Sequence, residues 1–224
     1  MHVAIIGTGN VGKALGGTLV RAGHEVTITA SDAAKTRAVA AEIGAEAAAT
    51  PAQAVQDADL VVLAVPFGAL DAVGAALGDD IAGKVVVDVS NPLTPDYSAL
   101  ATSGGPSPAE RLAERLSGAR VAKAFNTIFA NVQADPTSLG TTVDGYFATD
   151  DERARAMLHE LLGSIGFRPV HVGPLEAARE LESLAWLNMR LQMQTGGDWR
   201  SAYVLVGVPE AATSAPVPAG SSAR

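Results

Sequence analysis

Apolar residues fall along this chain in two rhythms. Short, nearly continuous runs occur at 3–6, 25–29, 45–48, 59–66, 84–89 and 120–125. Between them, apolar positions recur every three or four residues, as in Ala14, Leu15, Leu19 and Val20, or Leu70, Val73 and Leu77. The runs read as strands, several of them buried on both faces. The second pattern reads as amphipathic helices packed against them. Start signals agree. Ser31 or Asp32 caps a helix running to about Ile43, and Thr50-Pro51 reads as an N-cap followed by a first helical residue. A short helix is expected over 108–116, with Leu112 and Leu116 on one face. Strands alternating with helices at this spacing predict an α/β fold built on a doubly wound parallel sheet.

The first strand runs into Gly7-Thr8-Gly9-Asn10-Val11-Gly12, and a helical pattern follows at once. Gly7 permits the tight turn, Gly9 lets a pyrophosphate approach the backbone, and Gly12 lets the helix pack on the strand. The open N–H groups and dipole of the helix start suit phosphate. This context turns a common glycine pattern into the signature of a Rossmann-type dinucleotide site. The end of the second strand selects the dinucleotide. An acidic side chain there bonds the ribose of NAD and repels the 2′-phosphate of NADP. Here Ala30 and Ser31 come first, Ser31 can donate to a phosphate, and Lys35 adds a charge one turn later. That favours NADP; Asp32 leaves NAD open unless its side chain turns away to cap the helix.

Beyond residue 125 two more strands are expected, at Tyr146–Ala148 and Phe167–Val172. The helix between them is capped by Asp150 or Asp151. Another helix, from about Leu175 to Gln194, ends at Gly196-Gly197. The expected organisation is a dinucleotide-binding domain over 1–125, a small, mostly helical C-terminal part over 126–207, and a flexible Ala/Pro/Ser/Gly-rich tail over 208–224. Residues 94–108 form the longest loop, a candidate lid.

Bulk properties narrow the partners. The 224 residues are 48% hydrophobic and 18% charged, as in a compact globular chain. A net charge of −8 without a basic run argues against nucleic acid and membranes, and an anionic ligand needs a local positive patch. The absence of cysteine excludes disulfides and thiolate chemistry. No apolar run approaches membrane-spanning length and no charged leader precedes one, so a cytoplasmic location is expected.

No catalytic constellation stands out, and no catalytic residue is assigned. The four histidines lack metal-ligand spacing. His24 follows Gly23 at a helix end, where its charge suits the dipole. Lys123 lies inside a strand and reads as an ion-pair or ligand anchor, or as a general acid, with no legible aspartate or histidine partner. Asn91 and Asn126 follow strands at the same edge as the glycine turn and are expected to converge on one crevice. A site without an acid–base group suits hydride exchange between two redox cofactors.

Several segments together resemble the family of NADP-dependent coenzyme F420 reductases (F420H2:NADP oxidoreductases). They are the glycine turn, Ala22-Gly23-His24-Glu25-Val26, Val65-Pro66, Asn91-Pro92-Leu93, Lys123-Ala124-Phe125-Asn126-Thr127-Ile128, and Gly173-Pro174-Leu175 leading to Leu181-Glu182-Ser183-Leu184. They stand in family order from residue 1 to about 195. The resemblance implies NADP along Gly7, Thr8, Gly9, Asn10, Val11 and Gly12, with its 2′-phosphate near Ser31 and Lys35. Its nicotinamide would lie by Val65, Pro66, Phe67, Asn91, Thr94 and Ala130. Where the family shows Ser-Arg after the second strand, this chain has Ala30-Ser31. The deazaflavin co-substrate would stack on the nicotinamide by Asn126 and Thr127 under a roof of Trp186, Met189 and Trp199, and a hydride would pass between nicotinamide C4 and deazaflavin C5. Arg168, Arg190 and Arg200 are candidates for its anionic tail. Two other readings keep the same crevice: an NADPH-dependent reductase of a flavin, imine or carbonyl compound, and a non-catalytic NADPH sensor. The apolar C-terminal helix points to a homodimer.

Overall fold

The computed structural model describes residues 1–215 except 103 and 117. The first half runs β1 (His2–Ile6), α1 (Asn10–Arg21), β2 (Glu25–Thr29), α2 (Ala33–Ile43), β3 (Glu46–Ala47), α3 (Pro51–Val55), β4 (Leu60–Leu63), α4 (Leu70–Leu77) and β5 (Val85–Asp88). It continues with α5 (Pro108–Arg115), β6 (Arg120–Ala124), α6 (Ala130–Ala134), β7 (Asp144–Thr149), α7 (Glu152–Ser164), β8 (Arg168–His171), α8 (Ala178–Thr195) and α9 (Glu210–Thr213).

The eight strands among the described residues form one sheet in the order β3-β2-β1-β4-β5-β6-β7-β8. Neighbours are parallel except β6 and β7, where Lys123 faces Ala148 in an antiparallel pair. The order reverses between β1 and β4, so the carboxyl ends of these two strands flank the crevice where ligands of open sheets bind. β7 and β8 extend the same sheet and do not form a separate one.

Strand alternation explains the three layers. Val3, Ile5, Val85 and Val87 point to one face, packed with Leu15 and Leu19 of α1 and Leu158 and Leu161 of α7. Ala4, Ile6, Val61, Leu63 and Val86 point to the other, against Leu70, Leu77 and Leu112 of α4 and α5. Burying each such Val, Leu or Ile contributes about 1.5–3 kcal/mol. A third cluster, Tyr146, Ala148, Val170 and Leu181, continues the second face under α8.

The caps sit where residue chemistry put them. Asp32 accepts from the Lys35 backbone N–H at 2.9 Å, Thr50 from Gln53 at 3.2 Å and Asp151 from Ala154 at 2.9 Å. Gly44 and Gly196 end α2 and α8 in the left-handed conformation. Some features depart from the sequence reading. The five-residue α6 was not foreseen. The last long helix is preceded by a 3-10 turn at Leu175–Ala177, because the Ala177 N–H closes on Pro174 and Leu175 is held by Asp150. Of the stretch 208–224, residues 208–215 are described and carry α9, which receives hydrogen bonds from Arg155 and His159 of α7. Residues 216–224 lie outside the described residues.

Candidate active site

The glycine turn is fixed by backbone alone. Gly7 has φ +127°, and a Cβ there would sit 2.1 Å from the Ala64 carbonyl oxygen. A Cβ on Gly12 would sit 2.0 Å from the Gly7 carbonyl oxygen. The two positions bind β1, β4 and the start of α1 into one tight corner, braced by Gly7 N–H donating to Thr29 at 2.7 Å and Ala64 N–H to Ile6 at 2.9 Å. Gly9 is the opposite case: a Cβ on it would meet no protein atom within 4 Å. Gly9 is the N-cap of α1 and contributes no side-chain cap, and the first turn carries no acidic residue. Amides of the first turn are therefore open to an anion that follows the space beside Gly9, and the dipole favours one. Thr8 is buried and Asn10 exposed at the same turn, and Val11 packs on the core.

At the end of β2, Asp32 is committed to capping α2, so its carboxylate does not stand as the ribose ligand typical of NAD sites. Ser31 and Lys35 are exposed beside it, and the Lys35 ammonium has no ion-pair partner among the described residues. Thr29, fully buried at this strand end, has an unpartnered hydroxyl.

The carboxyl ends of β4, β5 and β6 bring the other predicted residues to the same edge. Val65 and Phe67 are half-buried and Pro66 exposed, with the Arg111 guanidinium 5.3 Å from the Phe67 ring centre. Asn91 and Asn126 meet. Asn126 Nδ2 donates to Asn91 Oδ1 at 3.0 Å and to the Leu181 carbonyl of α8 at 3.1 Å, and Asn91 Nδ2 donates to the Asn126 carbonyl at 3.0 Å. Ser90 Oγ, Asn126 Oδ1 and Thr127 Oγ1 are buried without partners, the condition of groups that await a ligand or water. The backbone here is strained: Phe125, buried and not a glycine, has φ +63°. Thr94 is engaged within its own loop, donating to Asp96 at 2.6 Å and accepting from Ser98 and Ala99 N–H groups. That loop folds back on itself through a Leu93–Leu100 bridge.

Sequence reading missed the group beneath this edge. Lys123 is fully buried, and its Nζ donates to Asp88 Oδ2 at 2.7 Å, the Ser90 carbonyl at 2.7 Å and Glu182 Oε1 at 3.0 Å. Three donors meet three acceptors, which is how a buried ammonium is tolerated. Burial pushes the Glu182 carboxyl above the usual range, against the pull of Lys123. The signals were present. Lys123 interrupts an apolar strand, and Glu182 follows Leu181 and precedes Ala185 on the buried side of its helix. Each is an anomaly that asks for the other.

The roof residues divide. Trp186 and Met189 are half-buried on α8. Trp199 lies past its end with φ +58° and meets Phe129, the residue before Ala130, edge-on with ring centres 5.2 Å apart. Asn131 Nδ2 donates to the Asp198 carbonyl and so holds this corner to α6. Arg168 does not stand free for an anion: its Nε donates to the buried Asp144 at 2.6 Å and its Nη2 to the Leu205 carbonyl at 2.7 Å. Arg190 and Arg200 are exposed. Burial lowers the His24 pKa, and its ring is bonded to Ser164 at 2.8 Å. Two cavities flank α8. One, of about 520 Å³, lies under the loop carrying Leu100 and Thr102 and reaches Glu182. The other, of about 670 Å³, lies against Tyr146, Leu181 and Tyr203. Neither reaches the glycine turn, whose chemistry is an open backbone cradle. Among the described residues no three His, Cys, Asp or Glu group to hold a metal.

The family described as NADP oxidoreductase, coenzyme F420-dependent, matches residues 2–92. The F420-dependent NADP reductase of Methanothermobacter marburgensis is 33% identical over 210 residues, covering 87% of this chain and 93% of that protein. An Arthrobacter sp. FB24 crystal structure, provisionally described as an F420-dependent NADP reductase, superposes with TM-score 0.82 at 28% identity, covering 91% of this chain and 98% of the other. An Aspergillus terreus reductive aminase shares the fold at TM-score 0.63 and 22% identity, over 87% of this chain and 62% of the other. The chain belongs to the family of coenzyme F420-dependent NADP oxidoreductases.

Proposed function

We propose that this protein is an NADP-dependent oxidoreductase that transfers a hydride between NADP(H) and the deazaflavin coenzyme F420. One observation carries it: similarity to the M. marburgensis reductase spans 87% of this chain, well past the dinucleotide half. On this reading residues 1–125 hold the dinucleotide and 126–207 the acceptor. The open amides beside Gly9 take the pyrophosphate, and Ser31 and Lys35 take the 2′-phosphate. Val65, Phe67 and Asn91 border the nicotinamide, and Asn126, Thr127, Trp186, Met189 and Trp199 border the deazaflavin. The two rings supply the redox chemistry: a hydride moves between them, and solvent supplies or takes the accompanying proton. The protein's own contribution is to bind, orient and exclude water. Arg190 and Arg200 remain for the acceptor's anionic tail.

Leu187 and Leu191 of α8, and Val204, Leu205 and Val206 after it, are exposed apolar side chains that suit contact with a second copy of the chain. No helix among the described residues is long and apolar enough to cross a membrane; a cytoplasmic location, where pyridine nucleotides circulate, accords with the activity. Mixing the protein with NADPH and F420 tests the reading. Bleaching of the deazaflavin's visible absorbance is expected. Absent bleaching, with turnover of a flavin, imine or carbonyl compound, replaces F420 as the acceptor; tight NADPH binding with no acceptor reduced makes the protein a sensor.

A further inference from the structure

We propose that Glu182 is a positioning residue for hydride transfer, holding the Asn91–Asn126 floor of the crevice in register with α8 through Lys123. The inference rests on the oxidoreductase reading above and adds a role within it. Two adjacent residues of α8 reach the sheet. The Leu181 carbonyl accepts from Asn126 at 3.1 Å, and Glu182 Oε1 accepts from Lys123 at 3.0 Å. Lys123 passes the connection on, donating to Asp88 and to the Ser90 carbonyl, immediately before Asn91. Asn126 stands three residues beyond Lys123 and bonds Asn91 directly. One continuous network thus joins the helix carrying Trp186 and Met189 to both segments that floor the crevice.

Stability alone does not call for such a network. A buried ionic group is commonly no more stabilising than apolar side chains of the same volume. What it adds is direction: Lys123 satisfies its donors in one arrangement of α8 against β5 and β6. Two rings exchanging a hydride need that kind of registry, since a displacement of about 1 Å costs about a hundredfold in rate. The charged groups facing Glu182 are Lys123 from β6, Asp88 from β5 and Arg111 from α5, and burial raises its pKa. Protonation weakens the bond to Lys123, so activity falls on the acid side at a pH above the usual carboxylate range.

The test compares Glu182→Ala and Glu182→Gln with the wild type. Glu182→Ala is expected to lose about tenfold to a hundredfold in kcat, with KM for NADPH within about threefold. Amide hydrogen exchange over 178–188 should quicken relative to the rest of the chain. Glu182→Gln keeps an oxygen for Lys123, recovers part of kcat and loses the acid limb of the pH profile. The proposal is overturned by a Glu182→Ala protein with wild-type kcat and wild-type exchange, by equal losses in both variants, or by an unchanged acid limb in Glu182→Gln. If Glu182→Ala does not fold, Glu182→Gln decides alone through its acid limb and the exchange of α8. If the wild type does not reduce F420, the functional reading fails by itself, and the exchange comparison still judges the link between α8 and the sheet.

Discussion

The glycine turn and the Asp88–Lys123–Glu182 cluster lie at the same edge of the sheet and are built from different materials. The turn is made of residues adjacent in sequence and of backbone atoms: Gly7 and Gly12 are defined by what a Cβ would strike, and Gly9 by the space left open beside it. The cluster is made of side chains from β5, β6 and α8, with Lys123 35 residues from Asp88 and 59 from Glu182 along the chain. At Gly7 and Gly12 the turn tolerates no side chain, because its constraint there is steric. The cluster's constraint is charge balance, which fails when one member is lost and survives when all are replaced together.

The largest effect should come from unbalancing that charge. Lys123→Met strands two buried carboxylates and is expected to lower stability by about 3–5 kcal/mol, read from the denaturant midpoint. Replacing Asp88, Lys123 and Glu182 together with leucine or methionine should return stability to within about 1–2 kcal/mol of the wild type while activity stays low. A single Lys123→Met variant that melts like the wild type would erase the contrast. Next comes Gly7→Ala, which meets the Ala64 carbonyl in a left-handed position and should cost about 3 kcal/mol together with NADPH binding. Gly9→Ala separates binding from folding. Its midpoint should stay within about 0.5 kcal/mol, while NADPH affinity falls about tenfold, or about 1.4 kcal/mol; unchanged affinity would remove the pyrophosphate from this turn. The smallest effect is Lys35→Ala, expected to weaken NADPH about threefold to tenfold and leave NADH untouched.

The same division explains what could be read beforehand. The strands, the helices packed on them and the caps at Asp32, Thr50 and Asp151 follow from local periodicity and short-range hydrogen bonds, which a sequence displays. Asn91 and Asn126 were placed on one edge because strand order in a doubly wound sheet puts them there. The bond of Asn126 to Leu181 depends on where α8 crosses the sheet, which no local pattern states; Lys123 and Glu182 are each marked by an apolar setting, but their pairing is set by the same crossing. α6 spans only Ala130–Ala134 and follows a strained turn at Phe125, too short for a periodic signal. Arg168 read as free because its partner Asp144 is buried at the start of β7, a position that looks like solvent-facing loop in sequence.

The lone antiparallel joint between β6 and β7 acts as a U-turn in the traffic of the chain. In an all-parallel sheet, a helix after the last strand departs from the nucleotide edge and leads away from it. Because β8 runs the other way, the chain leaves it at the far rim and climbs to the nucleotide edge, which α8 reaches within its first turn, where Leu181 and Glu182 bond Asn126 and Lys123. Trp199 is delivered beside Phe129 past the end of that helix. Reversing one strand pair is thus enough to bring a terminal helix to the same edge of the sheet as the glycine turn.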